Sequence, residues 1–189
     1  MRSVVTGGAG FIGSHLVERL LADGAEVTVL DSFTRGRERN LASVAADRRL
    51  RIVKADIRDA RAIAPAFEGA DQVHHLAALA DIVPSITDPM EYFTTNVDGT
   101  VNVLQAARAA GVKRFVYIAS STCYGIPDVY PTPETAPIRT EYPYALTKHL
   151  GELCALHWGR VYGLPVVSLR LFNVYVPRAR TGGTYGAVL

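Results

Sequence analysis

Residues 1–31 read M-R-S-V-V-T-G-G-A-G-F-I-G-S-H-L-V-E-R-L-L-A-D-G-A-E-V-T-V-L-D. An apolar strand runs into a glycine cluster, then an amphipathic helix, then a second apolar strand closed by an acid. Gly7, Gly10 and Gly13 give G-x-x-G-x-x-G, and Gly8, Gly10 and Gly13 also give G-x-G-x-x-G. Such a loop needs glycine to turn sharply, to let a pyrophosphate touch backbone, and to let helix and strand pack closely. A helix starting near Phe11 aims its unpaired N–H groups and positive dipole end at that phosphate.

A glycine triplet alone says little, because many loops are glycine-rich. Here a strand precedes it, a helix follows it, and Asp31 closes the second strand at the spacing such sites use. A carboxylate there accepts both ribose hydroxyls of an adenosine and repels a 2′-phosphate. The stretch therefore predicts a dinucleotide site that prefers NAD. Arg35 and Arg37, in the polar loop S-F-T-R-G-R-E-R, are the dissenting feature, since arginines can hold a 2′-phosphate.

Downstream, the pattern predicts a short helix over 38–46 and a third strand over 50–56. Asp56 and Ile57 stand where that strand would meet an adenine, the carboxylate toward its amino group and the apolar side chain against its face. Asp56 reads equally as a helix N-cap. A short helix over 60–67 leads to a fourth strand over 71–78, whose Ala77 and Ala78 leave room for a cofactor or serve plain packing. His74 and His75 point to opposite faces of that strand with no paired acid or cysteine nearby, so no metal site is expected.

Residues 79–87 read as irregular. Asp88, Pro89 and Glu91 then carry the cap, first-turn and capping-box signals of a long helix, which runs to Ala110 and stops at Gly111. Asn96 is a poor helix former, which suggests a specific polar job or a solvent-facing position. A fifth strand over 114–119 ends in S-S-T-C-Y-G. Pro127, Pro131, Pro133 and Pro137 then stiffen a loop over the site. Pro143 opens a helix to Gly163, and a sixth strand spans 165–171. Strand and helix alternate throughout, which predicts an α/β fold with a doubly wound parallel sheet.

At 189 residues the chain is one large domain with a real core. Its net charge of +2 is too small to argue for nucleic acid, and the arginine clusters at 35–39 and 48–51 lack interleaved aromatics. Cys123 and Cys154 form no C-x-x-C pair, which suits a reducing compartment. No charged-then-apolar leader opens the chain and no apolar run reaches the ~20 residues of a membrane span, so the expected location is the cytoplasm, off the membrane. The sequence stops on the apolar T-G-G-T-Y-G-A-V-L, with Gly186 to Leu189 last, so a C-terminal part is expected to be missing. The expected division is a dinucleotide-binding domain over 1–175 and the start of a truncated region over 176–189.

Tyr144 and Lys148 lie four apart on one helix face. Y-x-x-x-K is common by chance, but Ser120 and Ser121 end the preceding strand, across the expected nicotinamide. A phenol of pKa near 10 is a poor base at neutral pH, and a cation one turn away, helped by a positive nicotinamide, lowers it. A serine hydroxyl would then hold the substrate oxygen while the tyrosine takes its proton.

With these residues in hand, the chain resembles the extended short-chain dehydrogenase/reductase superfamily and, within it, the NAD-dependent epimerase/dehydratase family, in its UDP-glucose 4-epimerase-like branch. The motifs are T-G-G-A-G-F-I-G, D-S-F-T-R-G, A-D-I-R-D, H-L-A-A, N-V-D-G-T, S-S-T-C-Y-G, Y-A-L-T-K and L-R-L-F-N-V-Y-V-P-R, in family order. The resemblance implies a Rossmann fold, with Tyr144 as base, Lys148 as its tuner and a ribose ligand, and Ser120 as hydroxyl partner. It implies an NAD site lined by Phe11, Ile12, Asp31, Asp56, Ile57, Leu76, Ala77, Ala78 and Ala80, with Gly7, Gly10, Gly13, Ser32, Phe33, Arg35, Gly36 and Ala119 beside them. Asn96 would support the tyrosine and lysine, Phe172 would touch the nicotinamide region, and Asn173 would contact the sugar nucleotide. Cys123 and Val176 depart from the usual residues of their motifs.

The implied activity is NAD-dependent 4-epimerisation of a nucleotide sugar, expected to be a UDP-sugar, by a homodimer paired through the helices from Asp88 and Pro143. The alternatives are a dehydratase, decarboxylase or reductase of the same superfamily, or a non-catalytic NAD-binding module. Dehydration across sugar C5 and C6 needs an acid and a base. Related dehydratases carry T-D-E-V-Y-G where this chain has Ser120-Ser121-Thr122-Cys123-Tyr124-Gly125. Both acid positions hold hydroxyls here, and Glu134 or Glu141 of the proline-rich loop would have to substitute.

Overall fold

The structure, a computed structural model, describes residues 1–175 and 177–179. Val176 and the run ending at Leu189, with the expected truncated region they belong to, fall outside or largely outside the described residues. β1 (Arg2–Thr6) is followed by α1 (Phe11–Ala22), β2 (Glu26–Asp31), a 3-10 segment (Glu38–Val44) and β3 (Leu50–Lys54). α2 (Ala60–Ile63) and a 3-10 turn (Ala64–Ala66) lead to β4 (Gln72–His75). α3 (Ile82–Thr87), α4 (Pro89–Phe93), a π turn (Thr94–Asp98) and α5 (Gly99–Ala109) precede β5 (Arg114–Ser120). A 3-10 turn (Ser121–Tyr124), α6 (Pro143–Tyr162) and β6 (Val166–Leu171) follow.

The strands form one sheet in the order β3-β2-β1-β4-β5-β6, with every neighbouring pair parallel. The valine, isoleucine and leucine runs of the central strands suit burial on both faces, while the edge strands β3 and β6 leave Ile52, Val167 and Leu169 exposed. Val5, Val27 and Val29 pack beneath Val17, Leu20 and Leu21 of α1. Val4, Leu30, Val73 and Phe115 face the other way, against Val103, Leu104 and Ala107 of α5 and Ala155 of α6. This is the doubly wound parallel sheet that the alternation predicts. The strand order reverses between β1 and β4, and a crevice opens there at the carboxyl ends.

Several local expectations change. Residues 82–87 are helical rather than irregular, because Pro84 sits in the first turn of α3, where a missing N–H costs nothing. The helix predicted over 38–46 is a 3-10 segment, and that over 60–67 changes to 3-10 at Pro65. β3 and β4 stop at Lys54 and His75, and the residues after them line the crevice instead of pairing. The long helix after Asp88 contains a π turn around Asn96, whose side chain is engaged away from the helix.

Candidate active site

The first wall of the crevice is the turn between β1 and α1. Gly7 (φ 70°) donates its N–H to Leu30 O at 2.8 Å, and Gly10 donates to Gly7 O at 3.0 Å. A Cβ on Gly7 would lie 2.7 Å from the Ala77 nitrogen, so the chain leaving β4 passes directly across the turn. A Cβ on Gly13 would overlap the Gly7 carbonyl oxygen and stand 2.8 Å from Gly8 Cα. The first turn of α1 contains no acidic residue, so its positive end stays open to an anion.

Asp31 closes β2 with its carboxylate aimed by backbone. Oδ2 accepts from Ala9 N–H at 2.9 Å and Oδ1 from Phe33 N–H at 2.8 Å, the latter across a turn that holds Phe33 at φ 60°. Burial pushes the Asp31 carboxyl up from its ordinary value, against the pull of those two bonds. A Cβ on Gly36 would come within 2.7 Å of the carboxylate, so glycine alone lets the loop pass there. Ser32 and Arg35 complete this edge.

Asp56 and Ile57 line the same crevice. The cap reading of Asp56 fails: Asp59 caps α2, accepting from the Arg61 and Ala62 N–H groups at 3.0 Å. Asp56 instead accepts from the Arg58 guanidinium, at 2.6 Å for Nη2, and that bond holds its carboxyl below the usual range against the effect of burial. Bare backbone at a helix start, a carboxylate fixed by two N–H groups, and a wall of small alanines together fit a dinucleotide.

At the next strand end, Ser120 Oγ accepts from Thr122 Oγ1 at 2.8 Å and from Thr122 N–H at 3.3 Å. The Tyr144 ring lies edge-on to Tyr92 at 6.5 Å. Burial pushes its phenol up; the Ser120 hydroxyl opposes this, while Tyr92 and Asp81 add to it. Lys148 is buried, donating from Nζ to Ile118 O at 2.5 Å, with Nζ 4.6 Å from the Tyr117 ring centre. Burial lowers its pKa to about 7, and Glu152 works in the opposite direction. In this structure the amine is thus engaged by the Ile118 carbonyl.

Asn96 is 1% exposed and does have a polar job. Oδ1 accepts from Leu79 N–H at 2.8 Å, and Nδ2 donates to Leu79 O at 3.0 Å and Thr147 Oγ1 at 3.1 Å. It thereby ties the segment after β4 to the helix of Tyr144 and Lys148. His75 is buried between Thr6 and Thr100, with Nδ1 2.7 Å from one hydroxyl and Nε2 2.9 Å from the other. Among the described residues no cluster of three His, Cys, Asp or Glu side chains could hold a metal ion.

The crevice gathers Gly7, Gly10, Asp31, Ser32, Arg35, Gly36, Asp56, Ile57, Leu76, Ala77 and Ala78. Phe11, Ile12 and Gly13 form the first turn of α1, and Phe33 and Ala80 flank the crevice in sequence without lining it. Ala119 is buried beside Ser120, Phe172 is exposed and stacks on Tyr124 at 6.4 Å, and Asn173 is exposed. The sequence reading missed Leu30, Thr34, Ala55, Arg58, Leu79, Glu91 and Thr95 as lining residues. Arg58 had a signal, two positions after Asp56 in A-D-I-R-D; Glu91 and Thr95 reach the crevice only through the packing of α4 and the π turn.

Known proteins match this geometry and sequence. The model of the NAD dependent epimerase/dehydratase family matches residues 3–189. The UDP-glucose 4-epimerase of Mycolicibacterium smegmatis is 43% identical over 190 residues, covering 100% of this chain and 61% of that protein. Among solved structures, a dTDP-glucose 4,6-dehydratase from Streptomyces venezuelae with NAD bound is 44% identical, with a TM-score of 0.90 over 94% of this chain and 57% of its own. The UDP-glucose 4-epimerase of Thermus thermophilus, in complex with NAD, is 40% identical, with a TM-score of 0.89 over 98% of this chain and 60% of its own. The chain thus spans about three fifths of the length of the relatives it matches.

Proposed function

The chain belongs to the NAD-dependent epimerase/dehydratase family, and from that membership we propose that it forms the NAD-binding part of a sugar-nucleotide 4-epimerase acting on a UDP-sugar. Residues 1–175 form the cofactor domain, and 176–189 begin the region that completes the sugar-nucleotide site with Asn173. Gly7, Gly10 and the start of α1 would hold the pyrophosphate of NAD, Asp31 its adenosine ribose, and Asp56 and Ile57 its adenine. When bound, NAD would supply the reversible two-electron hydride chemistry that inversion at sugar C4 requires.

The protein's own groups handle the proton. Ser120 donates to the sugar oxygen, and Tyr144 takes the proton from that oxygen and later gives it back. Lys148 would hold the cofactor ribose when NAD is bound, and its charge would stabilise the phenolate. Asn96 keeps the helix carrying both residues in register with the segment after β4.

The observation that carries epimerisation over dehydration is the hydroxyl run at the end of β5, where Thr122 donates to Ser120 at 2.8 Å and no carboxylate stands on the turn. The dehydratase reading has one observation in its favour, the Asp81 carboxylate whose field reaches the Tyr144 phenol. The test is product analysis with a panel of UDP-, dTDP-, CDP- and GDP-hexoses. Unchanged mass with inverted C4 supports epimerisation, loss of one water supports dehydration, and NAD binding with no hydride exchange on any sugar supports a non-catalytic module. The exposed Leu146, Leu153 and Leu156 of α6 suit pairing of two copies, and equilibrium sedimentation tests the homodimer. No helix among the described residues is long and apolar enough to cross a membrane, and the proposed location is the cytoplasm.

A further inference from the structure

One buried ionic group beside the site has no part in the reaction described above. Glu152 lies on α6 one turn beyond Lys148 and is 3% exposed. Its Oε1 accepts from Ser168 Oγ at 2.7 Å and from Arg170 Nε at 3.0 Å, both on β6. Its Oε2 accepts from the same Nε at 3.0 Å and lies 3.3 Å from His149 Nδ1. Arg170 in turn donates from Nη1 to the Tyr124 phenol at 2.8 Å and lays its guanidinium 5.1 Å from the Tyr124 ring centre. Tyr124 stacks on Phe172. A continuous line of contacts thus leads from the helix of Tyr144 and Lys148 to the turn that begins at Ser120 and to the Phe172–Asn173 segment.

A buried ion pair is a weak source of stability, and apolar side chains of similar volume usually serve as well. α6 nonetheless carries the charge on the face that also seats a buried amine. The Lys148 amine lies over Tyr117 on β5, Glu152 on its own helix acts on its charge, and it acts in turn on His75 of β4; Tyr144 lies one turn before it on α6. Burial drives His75 down to about 3 and Tyr117 far up, so neither is charged near neutral pH. Glu152 in turn faces His149 on α6, Ser168 and Arg170 on β6, and Tyr117 and Cys123 within its field.

We propose that Glu152 is a positioning residue of this site: from one turn beyond Lys148 on the same buried face of α6 it sets the charge around that amine and, through Arg170, it fixes Tyr124 and Phe172 against the catalytic helix. The proposal rests on the roles given above to Tyr144 and Lys148. Glu152 itself touches no reacting atom and acts through its neighbours.

The experiment is thermal melting of the cofactor-free chain across pH, which requires no turnover. Stability gained from Lys148 rises with pH once its folded-state pKa is passed, because the unfolded chain then holds a proton that the folded chain lacks. Glu152→Gln, isosteric and uncharged, moves the onset of that rise down by about one pH unit. Arg170→Gln leaves the carboxylate without its guanidinium and moves the onset up. Glu152→Asp keeps the charge and keeps the onset near that of the wild type, which also covers a Gln variant that folds poorly. In a Lys148→Met background all these shifts vanish.

A merely structural network would lower melting temperatures without moving the onset, and that result overturns the proposal; so does movement of both Gln variants in one direction. In the whole protein, Glu152→Gln lowers kcat roughly tenfold or more while KM stays within about threefold, as expected when the loss falls on the reacting state. Full turnover by a folded Tyr144→Phe variant would instead refute the assignment of the site, and the proposal with it. A dead Tyr144→Phe beside an unshifted Glu152→Gln refutes the positioning role alone.

Discussion

Replacing Gly13 by alanine tests whether the β1–α1 turn is built on backbone contact. The added Cβ would overlap the Gly7 carbonyl oxygen and stand 2.8 Å from Gly8 Cα and 3.0 Å from the Gly7 carbonyl carbon. Carbon atoms in contact rest about 3.5–4.0 Å apart, so the two carbon pairs are ~0.5–1.2 Å too close. All three atoms are backbone and none can rotate aside. The same turn carries the Gly10 N–H to Gly7 O bond of 3.0 Å and the Ser14 N–H to Gly10 O bond of 3.1 Å, so relief must come from lifting α1 off β1. Overpacking a rigid site costs about 1–3 kcal/mol, and this one belongs at the upper end. For a chain of this size ~3 kcal/mol lowers the melting temperature by roughly 6–12 °C. Displacing the helix start also moves the groups that hold the pyrophosphate, so NAD affinity should fall in parallel. Gly24→Ala is the control: at φ 85° and with nothing within 4 Å of its Cβ, it carries only left-handed strain of about 1–2 kcal/mol and leaves NAD affinity unchanged. The assays are thermal melting and calorimetric titration with NAD. A Gly13→Ala protein that melts no lower than Gly24→Ala and binds NAD normally would refute the close-approach argument.

Two further predictions follow from buried charges. NAD should bind more than tenfold (~1.4 kcal/mol) more tightly than NADP, since the Asp31 carboxylate, aimed by Ala9 and Phe33, meets the 2′-phosphate; titration with both cofactors checks this, and equal or tighter NADP binding would transfer the ribose edge to Arg35. Lys148→Met should be more stable than wild type below pH 7, where the wild type carries the full penalty of a buried ammonium. That advantage should shrink as pH rises from about 7 toward the ordinary lysine value of 10.5, because across that window the unfolded wild type holds a proton that the folded one lacks. Melting curves at pH 6, 8 and 10 would show the narrowing, and a constant difference would mean that the amine is solvated.

The sheet, its parallel sense and the cofactor turn were legible in residues 1–31 and in the alternation after them, because they rest on local rules. Glycines mark backbone that must pass close, apolar runs mark strands covered on both faces, and Asp31 marks a strand end. Ser120, Tyr144 and Lys148 were legible as motifs. What sequence could not supply is the state of each group, since burial and partners at long range set it. Asp56 read equally as cap or ligand until Arg58 folded back on it and Asp59 took the cap. Asn96 was simply a poor helix former; its bonds to Leu79, 17 residues away, and to Thr147, 51 away, exist only once α6 is docked. Lys148 was legible as a cation one turn from the phenol, but its partners were not: the Ile118 carbonyl takes its amine in this structure, and Glu152 lies one turn on. Periodicity and spacing determine which residues share a strand or a helix face. The dielectric around a charge, and the partner it finds there, arise only when separate elements close over it.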